Sequence, residues 1–121
     1  MADVRIGAAT DFDDGDRRLV TVGGVDVMVF RHRERFYAFE NRCRHSGGPV
    51  GEGVLIGKVE AILSADGEFV GERFSDDEVH LVCPWHGWEY EIETGACAGD
   101  PSLRLRRFDA FEREGSVFVA S

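Results

Sequence analysis

The sequence of 121 residues predicts an all-β fold, on three observations. Apolar residues fall in short runs of period two, as in Val25-Asp26-Val27-Met28-Val29 and Trp88-Glu89-Tyr90-Glu91-Ile92. Turn-forming pairs punctuate these runs: Gly23-Gly24, Asp66-Gly67, Thr94-Gly95 and Glu114-Gly115. No long stretch repeats its apolar residues at the helical period of 3.6. Nor is there an internal repeat or a linker, and the length suits one domain with a modest core.

Taken in order, Leu19–Val22 and Val25–Phe30 flank Gly23-Gly24 and read as a hairpin. Val25, Val27 and Val29 share one face, with Asp26 and Met28 on the other. Phe36–Phe39 is a third short strand and leads directly into Asn41-Arg42-Cys43-Arg44-His45-Ser46-Gly47-Gly48-Pro49. Lys58–Leu63 and Glu68–Phe74 form a second hairpin around Asp66-Gly67. Ser75-Asp76-Asp77-Glu78 reads as a solvated turn, and Val79–Val82 as a strand feeding Cys83-Pro84-Trp85-His86-Gly87-Trp88. Beyond it, Trp88, Tyr90 and Ile92 share a face opposite Glu89, Glu91 and Glu93. Gly99-Asp100-Pro101 is a rigid turn, and Phe111 leads through Arg113-Glu114-Gly115 into a closing hairpin with Ser116–Ala120.

The two Cys/His stretches carry the chemistry. Each offers one thiolate and one imidazole, Cys43 with His45 and Cys83 with His86. Two such loops can clamp one metal centre, and Gly47, Gly48 and Gly87 allow tight turns around it. Zinc takes the same donors, but zinc fingers and ribbons group them as Cys-x₂₋₄-Cys and His-x₃₋₅-His, a grouping this chain lacks.

Cys-x-His, a spacer and Cys-x-x-His, with Gly47, Pro84 and Gly87 in support, closely resemble the Rieske iron–sulfur family. The resemblance runs from about Leu19 to Val119. It implies an antiparallel β-sandwich with a small cluster-binding subdomain formed by the two loops. It also implies one [2Fe–2S] cluster held by Cys43, His45, Cys83 and His86, two Cys on one iron and two His on the other. The oxidised centre is then neutral where an all-Cys centre carries two negative charges, so it accepts an electron more readily. Residues 1–121 are expected to form one such domain, with an extra hairpin around 54–80 between the ligand loops. Gly99-Asp100-Pro101 resembles the loop that covers the cluster from a third side, and Tyr90 the hydrogen-bonding Tyr of the family. High-potential members tie their two loops with a disulfide at the places of Gly48 and Trp85. They also carry a Ser at the place of Trp88. Neither feature exists here.

The remaining candidates are assigned modest roles. His32 and His80 read as surface residues and Cys97 as a small buried apolar one. Trp85 and Trp88 read as shields of the centre. Arg42 and Arg44 either touch a partner or offset charge. Catalytic residues are not expected: a ring-hydroxylating oxygenase needs a two-His, one-carboxylate iron site, and no spare His pair at a sensible spacing exists. The net charge of −9 excludes nucleic acid as a partner and suits a basic protein surface. With two of three Cys as ligands no disulfide pair is left, which fits the cytoplasm. Arg17-Arg18 precedes a fairly apolar stretch, but the acidic lead and the polar breaks at Thr21 and Asp26 argue against a twin-arginine export signal, and no run approaches the length of a membrane span. The resemblance thus implies a ferredoxin carrying single electrons from a flavoprotein or other reductase to a terminal oxidoreductase such as an oxygenase. The second reading is a small fixed subunit of a larger oxidoreductase, similar to that of assimilatory nitrite reductase.

Overall fold

The structure is a computed structural model and describes residues 3–44, 47–85 and 87–120, the side chain of Asp76 excepted. Its strands are β1 (Asp3–Ala8), β2 (Arg17–Val22), β3 (Val25–His32), β4 (Arg35–Glu40), β5 (Val54–Leu63), β6 (Phe69–Val82), β7 (Glu89–Glu91), β8 (Arg107–Phe108), β9 (Ala110–Arg113) and β10 (Ser116–Ala120). They form three antiparallel sheets, in the orders β1-β10-β9, β2-β3-β4-β8 and β5-β6-β7. The all-β expectation holds, and all three expected hairpins are present with their turns at Gly23-Gly24, Asp66-Gly67 and Glu114-Gly115.

The β2-β3-β4-β8 sheet is a wall between two cores. Alternation along β3 sends Val27 and Val29 to one side, with Ile6, Phe12, Val117 and Val119, and Phe30 to the other. In β4, Ala38 joins the first side, while Tyr37 and Phe39 join Phe30, Leu81, Tyr90 and Ile92 on the second. Both faces of the wall are therefore dry, and β4 emerges from it into the first Cys/His loop.

Strand β1 was not legible in the acidic N-terminal stretch. It pairs with β10, placing Ile6 under the wall, and a register irregularity between Arg5 and Gly7 breaks its alternation. The expected turn at Ser75–Glu78 is also corrected: these residues lie within β6. Gly57 pairs with Val79 and Val59 with Phe74, so the four residues 75–78 stand opposite Lys58 alone. The strand bulges instead of reversing. Ser75 Oγ accepts the N–H groups of Asp77 and Glu78, both at 3.1 Å, and so satisfies donors that the ladder has lost. A Cβ at Gly57 would lie 2.2 Å from the Ser75 carbonyl oxygen, so glycine lets the bulge close.

A short 3₁₀ turn at Val50–Glu52 links the first loop to β5. The Arg17 guanidinium donates to the carbonyls of Gly51 at 2.6 Å and Gly53 at 2.5 Å, and Asn41 Oδ1 accepts the Gly51 N–H at 2.8 Å. Gly53 passes so close to β6 that a Cβ would sit 1.6 Å from the Val82 carbonyl oxygen. Since that oxygen is backbone, Gly53→Ala must push β5 and β6 apart. We expect it to cost about 3 kcal/mol, seen as a fall of roughly 10 °C in thermal midpoint. An unchanged midpoint would mean that the strands separate freely.

Candidate metal centre

The first loop leaves β4 and the second leaves β6, and the two close by the same hydrogen bonds. The N–H of Cys43 donates to the Gly48 carbonyl at 2.8 Å, and the Gly47 N–H returns to the Cys43 carbonyl at 2.9 Å. In the second loop the Cys83 N–H donates to the Trp88 carbonyl at 2.8 Å, and the Gly87 N–H returns to the Cys83 carbonyl at 2.9 Å. In both, the residue four beyond the Cys is a left-handed glycine, Gly47 at φ 74° and Gly87 at φ 72°. A side chain would be strained at either position. The imidazoles fall at different places on this shared frame, two residues after Cys43 and three after Cys83. His45 and His86 lie outside the described residues.

Cys43 and Cys83 enter the same core, each about 98% buried, together with Val50, Leu81, Tyr90 and Cys97. Cys97 is packed as expected, its backbone bridged to Tyr90. Tyr90 is the link between the loops. It stands on β7 directly after the second loop, yet its hydroxyl lies 3.2 Å from Cys43 Sγ in the first. The Arg44 N–H donates to the same oxygen at 3.0 Å. A thiolate has no proton to give, so with Cys43 as a metal ligand the Tyr90 O–H is the donor between them. Burial, and then the Cys43 contact, hold the Tyr90 hydroxyl well above its ordinary pKa, so it remains a donor.

Gly48 and Trp85, the two places where a disulfide would tie the loops in high-potential relatives of the family, are in contact. The Trp85 indole lies over Gly48 so closely that a Cβ there would meet Cδ2 at 2.7 Å. The ring is nevertheless 58% exposed, so it forms part of the outer surface of the site as well as a bridge between loops. Trp88 packs half-buried against the core. Gly99 and Asp100 face Gly87 and Trp88 across a small cleft, which puts the Gly99-Asp100-Pro101 turn beside the second loop. Arg42 and Arg44 are exposed on either side of Cys43.

His80 is not the surface residue its sequence context suggested. It is 98% buried, with Nδ1 3.0 Å from Glu89 Oε1 and Nε2 2.6 Å from Glu78 Oε2. The signal was present in the spacing: period two puts residues 78 and 80 on one face, and register brings Glu89 beside them. His32 is half-buried at the end of β3, on the rim of a cleft with Arg33, Glu34 and Arg35. Among the described residues no three His, Cys, Asp or Glu side chains converge on a metal position, and no helix is long and apolar enough to cross a membrane.

The family model for the Rieske [2Fe–2S] domain matches residues 2–109, so the match begins well before Leu19 and takes in β1. Ferredoxin CarAc of Metapseudomonas resinovorans is 30% identical over 97% of this chain and 92% of its own length. Among solved structures, the ferredoxin of carbazole 1,9a-dioxygenase from Nocardioides aromaticivorans IC177 superposes with a TM-score of 0.71 at 25% identity, covering 99% of this chain and 98% of that one. A protein described as the small subunit of an NADH-dependent nitrite reductase from Mycobacterium tuberculosis reaches a TM-score of 0.76 at 18% identity, covering 99% and 95%, a likeness of fold alone. The chain belongs to the Rieske [2Fe–2S] domain family, as a ferredoxin that carries one [2Fe–2S] cluster and acts as an electron carrier.

Proposed function

We propose that this ferredoxin takes single electrons from a flavoprotein or other reductase and passes them to a terminal oxygenase, with Cys43, His45, Cys83 and His86 holding the cluster. The observation that carries the ligand assignment is the matched pair of loops, which bring two buried thiols into one core by the same hydrogen bonds. This donor set fits the group: two thiolates neutralise a centre that neutral imidazoles complete. The cluster supplies a site that gains and loses one electron without bond rearrangement. The residues around it set the terms of that exchange. Tyr90 donates a hydrogen bond to a ligand sulfur, and the dry core excludes water from both thiolates. Pro84, Trp85 and Gly87 are exposed, so the second loop reaches the surface where a partner can approach. Arg42 and Arg44 give the adjoining surface a positive rim on an otherwise acidic chain.

An oxygenase as acceptor rests on the likeness to the ferredoxin of carbazole 1,9a-dioxygenase. We place the protein in the cytoplasm, in keeping with two of its three cysteines serving as ligands, which leaves no pair for a disulfide. We also take residues 1–121 as one domain in which the hairpin within 54–80 is an insertion between the ligand loops.

The test is a reconstitution. Purified holoprotein should contain two irons per chain and accept one electron from a flavoprotein reductase and NADH. It should then restore turnover to a ferredoxin-depleted Rieske oxygenase. Purification bound to a larger oxidoreductase chain, with no turnover when added alone, would favour a fixed subunit instead.

A further inference from the structure

The outer half of the β5–β6 hairpin is a two-stranded ribbon with a largely apolar face that none of the described residues covers. Alternation puts Val59, Ala61 and Leu63 of β5 on one face, with Phe74 opposite Val59, Glu72 opposite Ala61 and, past a register irregularity between Ile62 and Leu63, Phe69 opposite Leu63. Val59 is 43% exposed, and Leu63, Phe69 and Phe74 are each 60% or more. Two-stranded ribbons are marginal in water on their own. Among the described residues β5 pairs with β6 alone, so its other edge presents unpaired backbone donors and acceptors.

The sequence of that edge is complementary to itself. If two copies of β5 pair antiparallel about a two-fold axis at Val59, residues whose numbers add to 118 face each other. Lys58 then faces Glu60 of the second copy and Glu60 faces its Lys58. Gly57 meets Ala61, Ile56 meets Ile62, and Val59 meets itself. Each charge finds its opposite and each apolar residue another. A two-fold axis normal to the sheet also keeps the apolar faces of both ribbons on one side. A charge that served only to protect an edge would repel its own copy. Here Lys58 and Glu60 repel when aligned in parallel and attract when antiparallel. Their ion-pair partners within the chain are exposed and of little energy, with Lys58 Nζ 3.8 Å from Glu78 Oε2 and Arg73 Nη2 3.5 Å from Glu60 Oε2, and Glu60 also takes a hydrogen bond from the Ser75 side chain.

We propose that β5 is a homodimerisation edge, through which two copies of this ferredoxin join their β5-β6-β7 sheets into one six-stranded sheet with Lys58 against Glu60 across the axis. The inference does not depend on the electron acceptor, and its test does not use turnover.

Sedimentation velocity of the holoprotein at increasing concentration should show the mass of two 13.5 kDa chains. Lys58→Glu and Glu60→Lys should each raise the dimer dissociation constant by roughly tenfold or more, because two attractive pairs become repulsive. The double variant Lys58→Glu/Glu60→Lys restores opposite charges and should recover the dimer. Visible absorbance of the cluster reports that every variant is folded. A monomer at all concentrations would overturn the proposal, and so would a dimer indifferent to the single charge reversals or one that the double reversal fails to recover.

Discussion

The His86→Ala variant is expected to be colourless, with its iron content and visible absorbance both lost. The second loop is closed by hydrogen bonds that do not involve the imidazole, from the Cys83 N–H to Trp88 and from the Gly87 N–H to Cys83. The loop frame therefore survives the substitution, and what disappears is a donor to the metal. An iron–sulfur cluster with an open ligand position in a solvent-facing loop loses iron, and the exposure of Pro84, Trp85 and Gly87 gives water direct access. A control separates ligation from stability. His80 is three residues before Cys83 and buried, unlike Pro84, Trp85 and Gly87 of the second loop, but its ring nitrogens engage Glu78 and Glu89. His80→Ala is expected to lower thermal stability and leave the spectrum intact, since the loss is of a buried hydrogen-bonded group. An unchanged iron content in His86→Ala would remove His86 from the ligand set, whereas a colourless His80→Ala would bring His80 into it.

The parts of this fold that were legible in the sequence are those with a local cause. Gly23-Gly24 and Asp66-Gly67 impose their hairpins through positive φ at Gly23, Gly24 and Gly67, and the surrounding alternation supplies the strands. Cys43 and Cys83 stood out because metal chemistry requires particular residues at particular spacings, whatever the fold around them. The parts that stayed hidden have non-local causes. In β1 the apolar pattern is interrupted at Gly7 by a register irregularity, and its partner β10 is more than a hundred residues away. Ser75–Glu78 has the composition of a turn, and only its pairing across Lys58 makes it a bulge. The Arg17 clamp on Gly51 and Gly53 spans more than thirty residues, and a basic residue at a strand start carries no hint of it. His80 went unrecognised because a polar residue on the outer face of a strand is ordinarily wet. Here two carboxylates, one on its own strand and one on its neighbour, enclose it.

The midpoint potential is expected near the lower end of the family's span of roughly −150 to +300 mV. Reduction adds negative charge to the centre, so every hydrogen bond donated to its sulfurs favours the reduced form and raises the potential. At the place where high-potential members carry a Ser hydroxyl this chain has Trp88, whose indole N–H is its only donor group. Where they carry the disulfide tie it has Gly48 and Trp85, and the contact between them is a ring stacked on a backbone, which joins the loops without a covalent bond. Tyr90 remains, with its hydroxyl 3.2 Å from Cys43 Sγ, where a thiolate can only accept, and with the same oxygen accepting the Arg44 N–H. Tyr90→Phe should therefore lower the midpoint further, by about 50 mV, the one-electron equivalent of about 1 kcal/mol of hydrogen bonding lost from the reduced state. The phenyl ring keeps the buried volume, so the cluster and its spectrum should persist. Protein-film voltammetry at neutral pH measures both quantities. A wild-type midpoint in the upper third of the span would show that other donors outweigh the missing Ser. A Tyr90→Phe midpoint that stays put or rises would mean that the hydroxyl does not donate to Cys43. If both expectations hold, the potential lies where a flavoprotein reductase can fill the centre.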